Sequence, residues 1–218
     1  MKIKWFGNST FLLTSNNGNK ILMDPFNIFN TFSENINVDF ITCSKNIELN
    51  SFYTLNANTK IISSNSTFSN KYIKIKGYKS NADSLMGLKR GSNTIYVYEL
   101  DNLKLCHLGY LGEMLNNEMI NILKDCHIIF IPIGGNICID GTMASKLISK
   151  FNPKYIFPMC YQYLYDNFYY SGPKDFLSHQ KNVLTTKSSS IYIEDLKNTN
   201  NPQTILMSNS FIWKKRYR

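Results

Sequence analysis

The chain has 218 residues, of which 43% are hydrophobic and 14% aromatic, a composition typical of a globular domain and unlike that of a disordered chain. Lys and Arg outnumber Asp and Glu by 24 to 15, which gives a formal net charge of +9. The 21 Lys greatly outnumber the 3 Arg and are scattered among 28 Asn. Because Arg is the residue expected at bidentate phosphate contacts, this pattern argues against a nucleic-acid-binding surface.

The sequence contains no signal for membrane insertion or secretion. No apolar run approaches the ~18 residues that a spanning helix requires, and residues 1–5 are not followed by an apolar signal core. We therefore expect a cytoplasmic protein without a membrane partner.

The cysteines do not form a recognisable disulfide or zinc framework. They are odd in number and have no Cys-x-x-Cys spacing; they are Cys43, Cys106, Cys126, Cys138 and Cys160. Cys106, Cys126 and Cys138 lie in or beside apolar runs, where a free Cys packs as a small hydrophobic side chain.

Short strands dominate the first half of the chain. Their residues are 2–5, 10–14, 20–23, 38–42, 59–62 and 72–78. The Asn-rich segment 16–19 predicts a hairpin turn, and the alternation of Ile and Lys after Tyr72 predicts a half-exposed strand.

Strands alternate with helices in the second half. The predicted strands are residues 93–100, 103–107, 127–133, 154–157, 191–193 and 204–207, and the predicted helices are residues 113–124, 175–181 and a segment after 140. Asp101 and Asn102 predict a second hairpin turn. Glu113 is expected to open one helix and Asp140 to cap another, and Pro158 is expected to end the preceding strand. The order of elements predicts one α/β domain over residues 1–218, with two sheets and helices outside them.

The strand at 38–42 leads into a polar loop, Thr-Cys-Ser-Lys-Asn-Ile-Glu, at residues 42–48. Together with this loop, six further segments resemble, in the same order, the motifs of the metallo-β-lactamase superfamily, and in particular the small bacterial hydrolases similar to ascorbate-6-phosphate lactonase. These segments are residues 3–12, 21–26, 89–95, 106–112, 131–135 and 158–161. The resemblance implies a four-layer αβ/βα sandwich and, in an active member, a one- or two-metal centre that uses zinc or manganese.

The ligand positions of that centre are altered in this sequence. The family loop Thr-His-x-His-x-Asp-His has Cys43 and Lys45 at its first two His positions and Glu48 at its last. The bridging Asp of the family falls on Tyr110, and its final His falls on Cys160. The remaining ligand His falls near residues 80–82, which contain no His, and even the non-ligand His near the N-terminus is Asn8.

The three histidines of the chain do not replace these ligands. The resemblance assigns His107 to a position that is not normally a ligand, while His127 begins a predicted strand and His179 lies in a late helix. Asp24 matches a family carboxylate that supports the ligand loop.

These departures predict a vestigial pocket at Cys43, Lys45, Glu48, Tyr110 and Cys160, with no catalytic residue and no metal cofactor. The Lys45 ammonium repels a divalent ion and could pair with Glu48. We interpret the chain as a pseudoenzyme that binds a small, anionic molecule or a partner, and self-association is left open. Two other interpretations also stay open. One is a hydrolase of the lactone or phosphoester class with a rebuilt site, either one metal on Cys43, Glu48 and Cys160 or metal-free chemistry with Lys45 and a thiol. The other is a basic nucleic-acid-binding protein.

Overall fold

A computed structural model describes residues 1–25, 37–45, 58–62, 66–163, 169–197 and 201–208. The strands in this part of the chain are β1 (Lys2–Gly7), β2 (Thr10–Thr14), β3 (Lys20–Met23), β4 (Phe40–Thr42), β5 (Lys60–Ile62), β6 (Thr67–Ser69), β7 (Ile73–Asn81), β8 (Ser92–Leu100), β9 (Leu103–His107), β10 (Ile128–Pro132), β11 (Tyr155–Met159), β12 (Val183–Thr185), β13 (Ser190–Tyr192) and β14 (Gln203–Leu206). The helices are α1 (Asn117–Leu123), α2 (Gly141–Ile148) and α3 (Lys174–Leu177), with a 3-10 turn at Ile193–Asp195.

The described strands form two sheets. One has the order β13-β1-β2-β3-β4-β5 and the other the order β12-β14-β11-β10-β9-β8-β7-β6. Aromatic rings join the two sheets: the ring centroid of Phe11 on β2 lies 4.6 Å from that of Phe130 on β10, which stacks on Phe157 of β11 at 5.2 Å. All five residues of β10 are buried, because α2 also packs against this strand. The predicted α/β fold class is confirmed.

The two hairpins are confirmed in detail. β2 and β3 pair antiparallel across residues 16–19, and β8 and β9 pair across Asp101 and Asn102. The φ angles of Asp101 and Asn102 are 52° and 60°, the left-handed pair of a type I′ hairpin turn.

The capping of α2 by Asp140 is also confirmed, since its side chain accepts a hydrogen bond of 2.7 Å from the backbone N of Met143. The predicted start of α1 at Glu113 is wrong. Asn116 caps this helix and accepts from the backbone N of Met119 at 2.9 Å, while the carboxylate of Glu113 accepts hydrogen bonds from Asn81. A contact from a distant strand thus moves the helix start by one turn.

β11 does not end before Pro158, contrary to the prediction. Met159 accepts a hydrogen bond from Ile133 on the β10 side, so the nitrogen of Pro158 faces the other neighbour, β14. That neighbour pairs with β11 only at Tyr155 and Ile156. No ladder donor is needed at Pro158, and the strand continues through it.

Cys106, Cys126 and Cys138 are buried, as predicted, and all five cysteines are free thiols. None of the helices in the described residues has the length and apolar character of a membrane span. Glu48 and the basic C-terminal residues 214–218 lie outside the described residues.

Candidate functional site

Several polar residues follow the carboxyl ends of neighbouring parallel strands. β3 and β4 are parallel to each other, as are β9, β10 and β11. Asp24 follows β3, Cys43 follows β4, Tyr110 comes after β9, and Cys160 follows β11 directly. β3 and β4 belong to one sheet and β9, β10 and β11 to the other. Contacts between the two sets, Lys45 with Tyr110 and Asp24 with His107, place their carboxyl ends at one edge of the sandwich, and such an edge is where α/β proteins collect functional side chains.

Asp24 holds the loop after β4 in place. Its Oδ1 atom accepts a hydrogen bond of 2.6 Å from the backbone N of Ser44, and its own backbone N donates to the carbonyl of Thr42 at 2.9 Å. On the other side of the loop, the carbonyl of Ser44 accepts from the backbone N of Thr94 on β8 at 2.8 Å. The loop that carries Cys43 and Lys45 is therefore fixed to both sheets.

Lys45 and Tyr110 are in direct contact. The Lys45 Nζ atom lies 5.2 Å from the centroid of the Tyr110 ring, within the range of a cation–π interaction. The Tyr110 hydroxyl accepts hydrogen bonds from Ser9 Oγ at 2.9 Å and from Asn8 Nδ2 at 3.2 Å. Lys45 is half-buried and Tyr110 is buried, so the ammonium group lies between solvent and the buried phenol.

Cys160 contributes a buried, free thiol to this edge, not a charged group. Its backbone has a φ of 51°, uncommon for a residue other than Gly, Asn or Asp, and its backbone N donates to the carbonyl of Asn8 at 3.3 Å. Burial raises the pKa of the Cys160 thiol, with smaller contributions from Cys138 and Asp24. Burial also raises the pKa of Cys43 to about 12. Both thiols are protonated at neutral pH.

Asp24 and His107 form a buried titratable pair beneath the loop. The His107 Nδ1 atom lies 3.9 Å from Asp24 Oδ2. His107 Nε2 lies 2.9 Å from the carbonyl of Ser9, while Nδ1 accepts from the backbone N of Gly109 at 3.2 Å. This arrangement requires the proton on Nε2 and a neutral ring. Burial lowers the pKa of His107, against the opposing effect of Asp24, and burial raises the pKa of Asp24, against the opposing effect of His107.

We expect Asp24 and His107 to have opposite effects on the pH dependence of stability. His107 has a lowered pKa, so its contribution to the free energy of unfolding is complete above the ordinary value of 6.5 and is lost as the pH falls toward its folded pKa. Asp24 has a raised pKa, so its contribution is complete below 3.8 and is lost as the pH rises through its folded pKa. In a His107→Gln variant, Asp24 is the one residue of this pair that still contributes to the pH dependence of the free energy of unfolding.

The His107→Gln protein should therefore lose more stability than wild type as the pH rises from about 4 to 7, with a limiting slope of about 1.4 kcal/mol per pH unit. Urea unfolding at a series of pH values measures this slope. His179→Gln, at an exposed position, is the control and should follow wild type. Identical pH profiles for His107→Gln and wild type would show that the pair does not titrate as described.

Sequence reasoning did not identify Asn93 as a site residue. This buried side chain donates from Nδ2 to Ser80 Oγ at 2.9 Å and to the Leu108 carbonyl at 3.0 Å, and its Oδ1 accepts from the backbone N of Tyr110 at 2.8 Å. Asn93 thereby fixes the loop that carries Tyr110. In the sequence, Asn93 is marked only by its position in the Arg-Gly-x-Asn-Thr segment. That segment indicates the family but does not indicate that Asn93 holds the Tyr110 loop.

The residues at this edge do not fit a catalytic zinc ion. Zinc requires imidazole, thiolate or carboxylate donors. The positions that the resemblance assigns to the family's ligands hold an ammonium group (Lys45), a hydrogen-bonded phenol (Tyr110) and two thiols (Cys43 and Cys160), which would have to release their protons to bind a metal. In the part of the chain that the structure describes, no three His, Cys, Asp or Glu side chains are grouped to hold a metal ion. Glu48, the remaining predicted pocket residue, lies outside that part.

Comparison with protein families gives a match to the β-lactamase superfamily domain over residues 2–160. No curated protein matches the chain significantly. A proposed zinc-dependent hydrolase of the metallo-β-lactamase superfamily from Thermotoga maritima is 25% identical, with a TM-score of 0.78 over 94% of this chain and 97% of that one.

Two more solved structures support the fold. A proposed metal-dependent hydrolase from Parabacteroides distasonis is 18% identical, with a TM-score of 0.65 over 95% of this chain and 92% of that one. A metallo hydrolase from Ignicoccus hospitalis is also 18% identical, with a TM-score of 0.56 over 74% of this chain and 82% of that one. Since the family match spans most of the sequence and the fold agrees with it, the chain belongs to the β-lactamase superfamily and has the metallo-β-lactamase fold.

Proposed function

We propose that this protein is a pseudoenzyme of the metallo-β-lactamase fold, in which the catalytic metal centre has been replaced by a binding site for a small anionic molecule or a partner. The observation that carries the proposal is the contact between the Lys45 ammonium and the Tyr110 ring at 5.2 Å. The sequence resemblance assigns both residues to positions at which the family has metal ligands. We further propose that it acts as a single domain in the bacterial cytoplasm.

The electrostatic argument concerns what the site attracts. A divalent metal and its carboxylate ligands make a site that polarises substrate and generates hydroxide. Here Lys45 supplies an ammonium, which repels a divalent ion and attracts an anion. The ammonium has three N–H donors and belongs to a half-buried side chain. An anionic group of a ligand would take up these donors.

Binding of anions tests this proposal. We expect inorganic phosphate or glucose 6-phosphate to raise the unfolding temperature of the wild-type protein, because a ligand that binds only the folded state stabilises it. Lys45→Met should weaken the affinity for the bound anion by about tenfold or more, the loss expected for one charge-assisted hydrogen bond.

The matched control is Lys154→Met, because Lys154 is also half-buried and lies over a tyrosine ring, that of Tyr155, at 5.6 Å. Tyr155 is the first residue of β11, so this pair lies at the opposite end of the strand from Cys160. Isothermal titration calorimetry should show unchanged affinity for the control. Equal losses in both variants would mean that the anion binds through general charge, and the proposal for Lys45 would be wrong.

A second candidate is a hydrolase of the lactone or phosphoester class with a rebuilt metal site on Cys43, Glu48 and Cys160. It is favoured by the names of the similar structures from Thermotoga maritima and Parabacteroides distasonis, which are proposed metal-dependent hydrolases. A specific relationship to ascorbate-6-phosphate lactonase belongs to this candidate. Metal analysis of purified protein separates the two.

A further inference from the structure

A loop between β7 and β8 exposes three large apolar side chains within four positions. The exposed fractions are 54% for Leu85, 79% for Met86 and 84% for Leu88. Single exposed apolar side chains are ordinary on protein surfaces, but a contiguous group of them marks a contact surface. We call residues 82–91 the apolar loop.

The apolar loop is held open by a buried carboxylate. Asp83 Oδ1 accepts hydrogen bonds from the backbone N atoms of Leu85 at 2.8 Å and Gly87 at 3.0 Å, and Oδ2 accepts from those of Lys89 at 3.1 Å and Arg90 at 2.6 Å. Four donors on one side chain fix the path of the backbone. The apolar side chains therefore cannot turn inward without breaking these bonds.

Two further features fix the loop. Met86 has a φ of 56°, an unfavourable conformation for a residue with a long side chain. At the root of the loop, Asn81 donates to the carboxylate of Glu113 from both its backbone N and its Nδ2, at 2.9 Å and 3.0 Å. A rigid loop with a strained residue at its tip exposes apolar surface at a cost in stability, which indicates a use for that surface.

Basic residues outnumber acidic ones beside the tip, since the one neighbouring carboxylate from outside the loop described above, that of Glu113, is at the root of the loop and bonded to Asn81. Lys79 and Lys89 are exposed and Arg90 is half-buried. Asp83 is the one carboxylate among residues 79–92, and its oxygens are occupied by the loop's own backbone. The tip is thus a convex apolar surface with basic residues beside it, on a chain of net charge +9.

We propose that the apolar loop binds the surface of an anionic lipid bilayer. Leu85, Met86 and Leu88 enter the boundary between headgroups and acyl chains, and Lys79, Lys89 and Arg90 contact the anionic headgroups. This contact needs no long apolar helix, so it modifies the expectation of a protein without a membrane partner. The proposal does not depend on the function proposed for the Lys45 site.

A second copy of the chain fits this surface less well. A symmetric contact between two tips would bring the basic residues of one copy, such as Lys89, close to those of the other, and like charges repel. The three apolar side chains would also bury much less surface than the roughly 1,200–2,000 Å² of a stable interface. A protein partner would need a pocket shaped to the convex tip. A bilayer deforms around it and supplies the complementary charge.

Co-sedimentation with vesicles tests the proposal. At about 0.15 M salt, we expect wild-type protein to bind vesicles of phosphatidylglycerol and phosphatidylcholine more strongly than vesicles of phosphatidylcholine alone. The triple variant Leu85→Ser/Met86→Ser/Leu88→Ser should bind the anionic vesicles at least about tenfold more weakly, because it loses three inserting apolar side chains. All three positions are exposed, so thermal unfolding of the variant should match wild type.

The control is Tyr72→Ser, which removes another exposed apolar side chain, 55% accessible and next to Lys71, and should change binding by less than about twofold. Leu88→Trp should also show fluorescence quenching by brominated phosphatidylglycerol vesicles that exceeds the wild-type signal. Equal binding by the triple variant and wild type would assign any vesicle binding to charge alone and overturn the proposal. A wild-type dimer in light scattering that becomes a monomer in the triple variant would instead assign the loop to self-association.

Discussion

Gly134→Ala should lower the free energy of unfolding by about 3 kcal/mol or more, because no space exists for a single added methyl group. A Cβ atom at this position would lie 2.0 Å from the carbonyl oxygen of Cys160 and 2.8 Å from the ring of Tyr170. The nearest obstacle is a backbone atom, which cannot rotate away. Relief requires the segment after β11 to move, and that segment carries Cys160.

Urea unfolding measures this change, and Gly172→Ala is the matched control. Nothing lies within 4 Å of a Cβ built at Gly172, and neither glycine has a positive φ. Both substitutions reduce the conformational entropy of the unfolded chain, an effect that by itself stabilises the folded protein by about 0.4–1 kcal/mol. Only Gly134→Ala also introduces a steric clash. If Gly134→Ala were as stable as Gly172→Ala, Cys160 would not lie where the structure has it.

Asn93→Leu should cost about 3–5 kcal/mol, since the leucine fills a similar volume but leaves buried polar groups without partners. The groups affected are the backbone N of Tyr110, the carbonyl of Leu108 and the hydroxyl of Ser80. Each unsatisfied buried group costs about 1–3 kcal/mol. Loss of the bond to Tyr110 should also free the loop on which Lys45 rests.

Asn19→Leu is the control for Asn93→Leu, because Asn19 lies near the surface and its side chain bonds only to Asn17 among the described residues. It should change the free energy of unfolding by less than about 0.5 kcal/mol. Anion binding gives a second readout: Asn93→Leu should weaken it even at temperatures where the protein is folded. A cost below about 1 kcal/mol would mean that water replaces the amide, and that Asn93 does not organise the site.

The sequence was sufficient where structure depends on near neighbours. The turn at Asp101 and Asn102, the cap at Asp140 and the continuous apolar run of β10 each follow from a few adjacent residues. For the same reason the fold class could be predicted from an ordered set of short motifs. The prediction at Pro158 was wrong because a proline is accepted within a strand where the neighbouring strand does not extend far enough to need its N–H, and the local sequence does not show how far β14 extends.

The parts of the site that could not be predicted depend on contacts between distant segments. Asn93 acts through Leu108 and Tyr110, and Glu113 fails to open α1 because it bonds to Asn81. Nothing in the local sequence indicates either pairing. Likewise, residues 85–88 look like ordinary apolar residues in sequence, and their exposure follows from the four backbone bonds that Asp83 accepts.

The metal content of the purified protein tests the proposed function most directly. Protein prepared without chelator should contain well under one equivalent of zinc, iron or manganese per chain by inductively coupled plasma mass spectrometry. The reason is that Lys45 and Tyr110 supply an ammonium and a hydrogen-bonded phenol at positions that the sequence resemblance assigns to metal ligands. Addition of zinc should not raise the unfolding temperature. One equivalent or more of metal in the wild-type protein, lost in Cys160→Ala or Glu48→Ala, would contradict the pseudoenzyme proposal and identify a hydrolase with a rebuilt metal site.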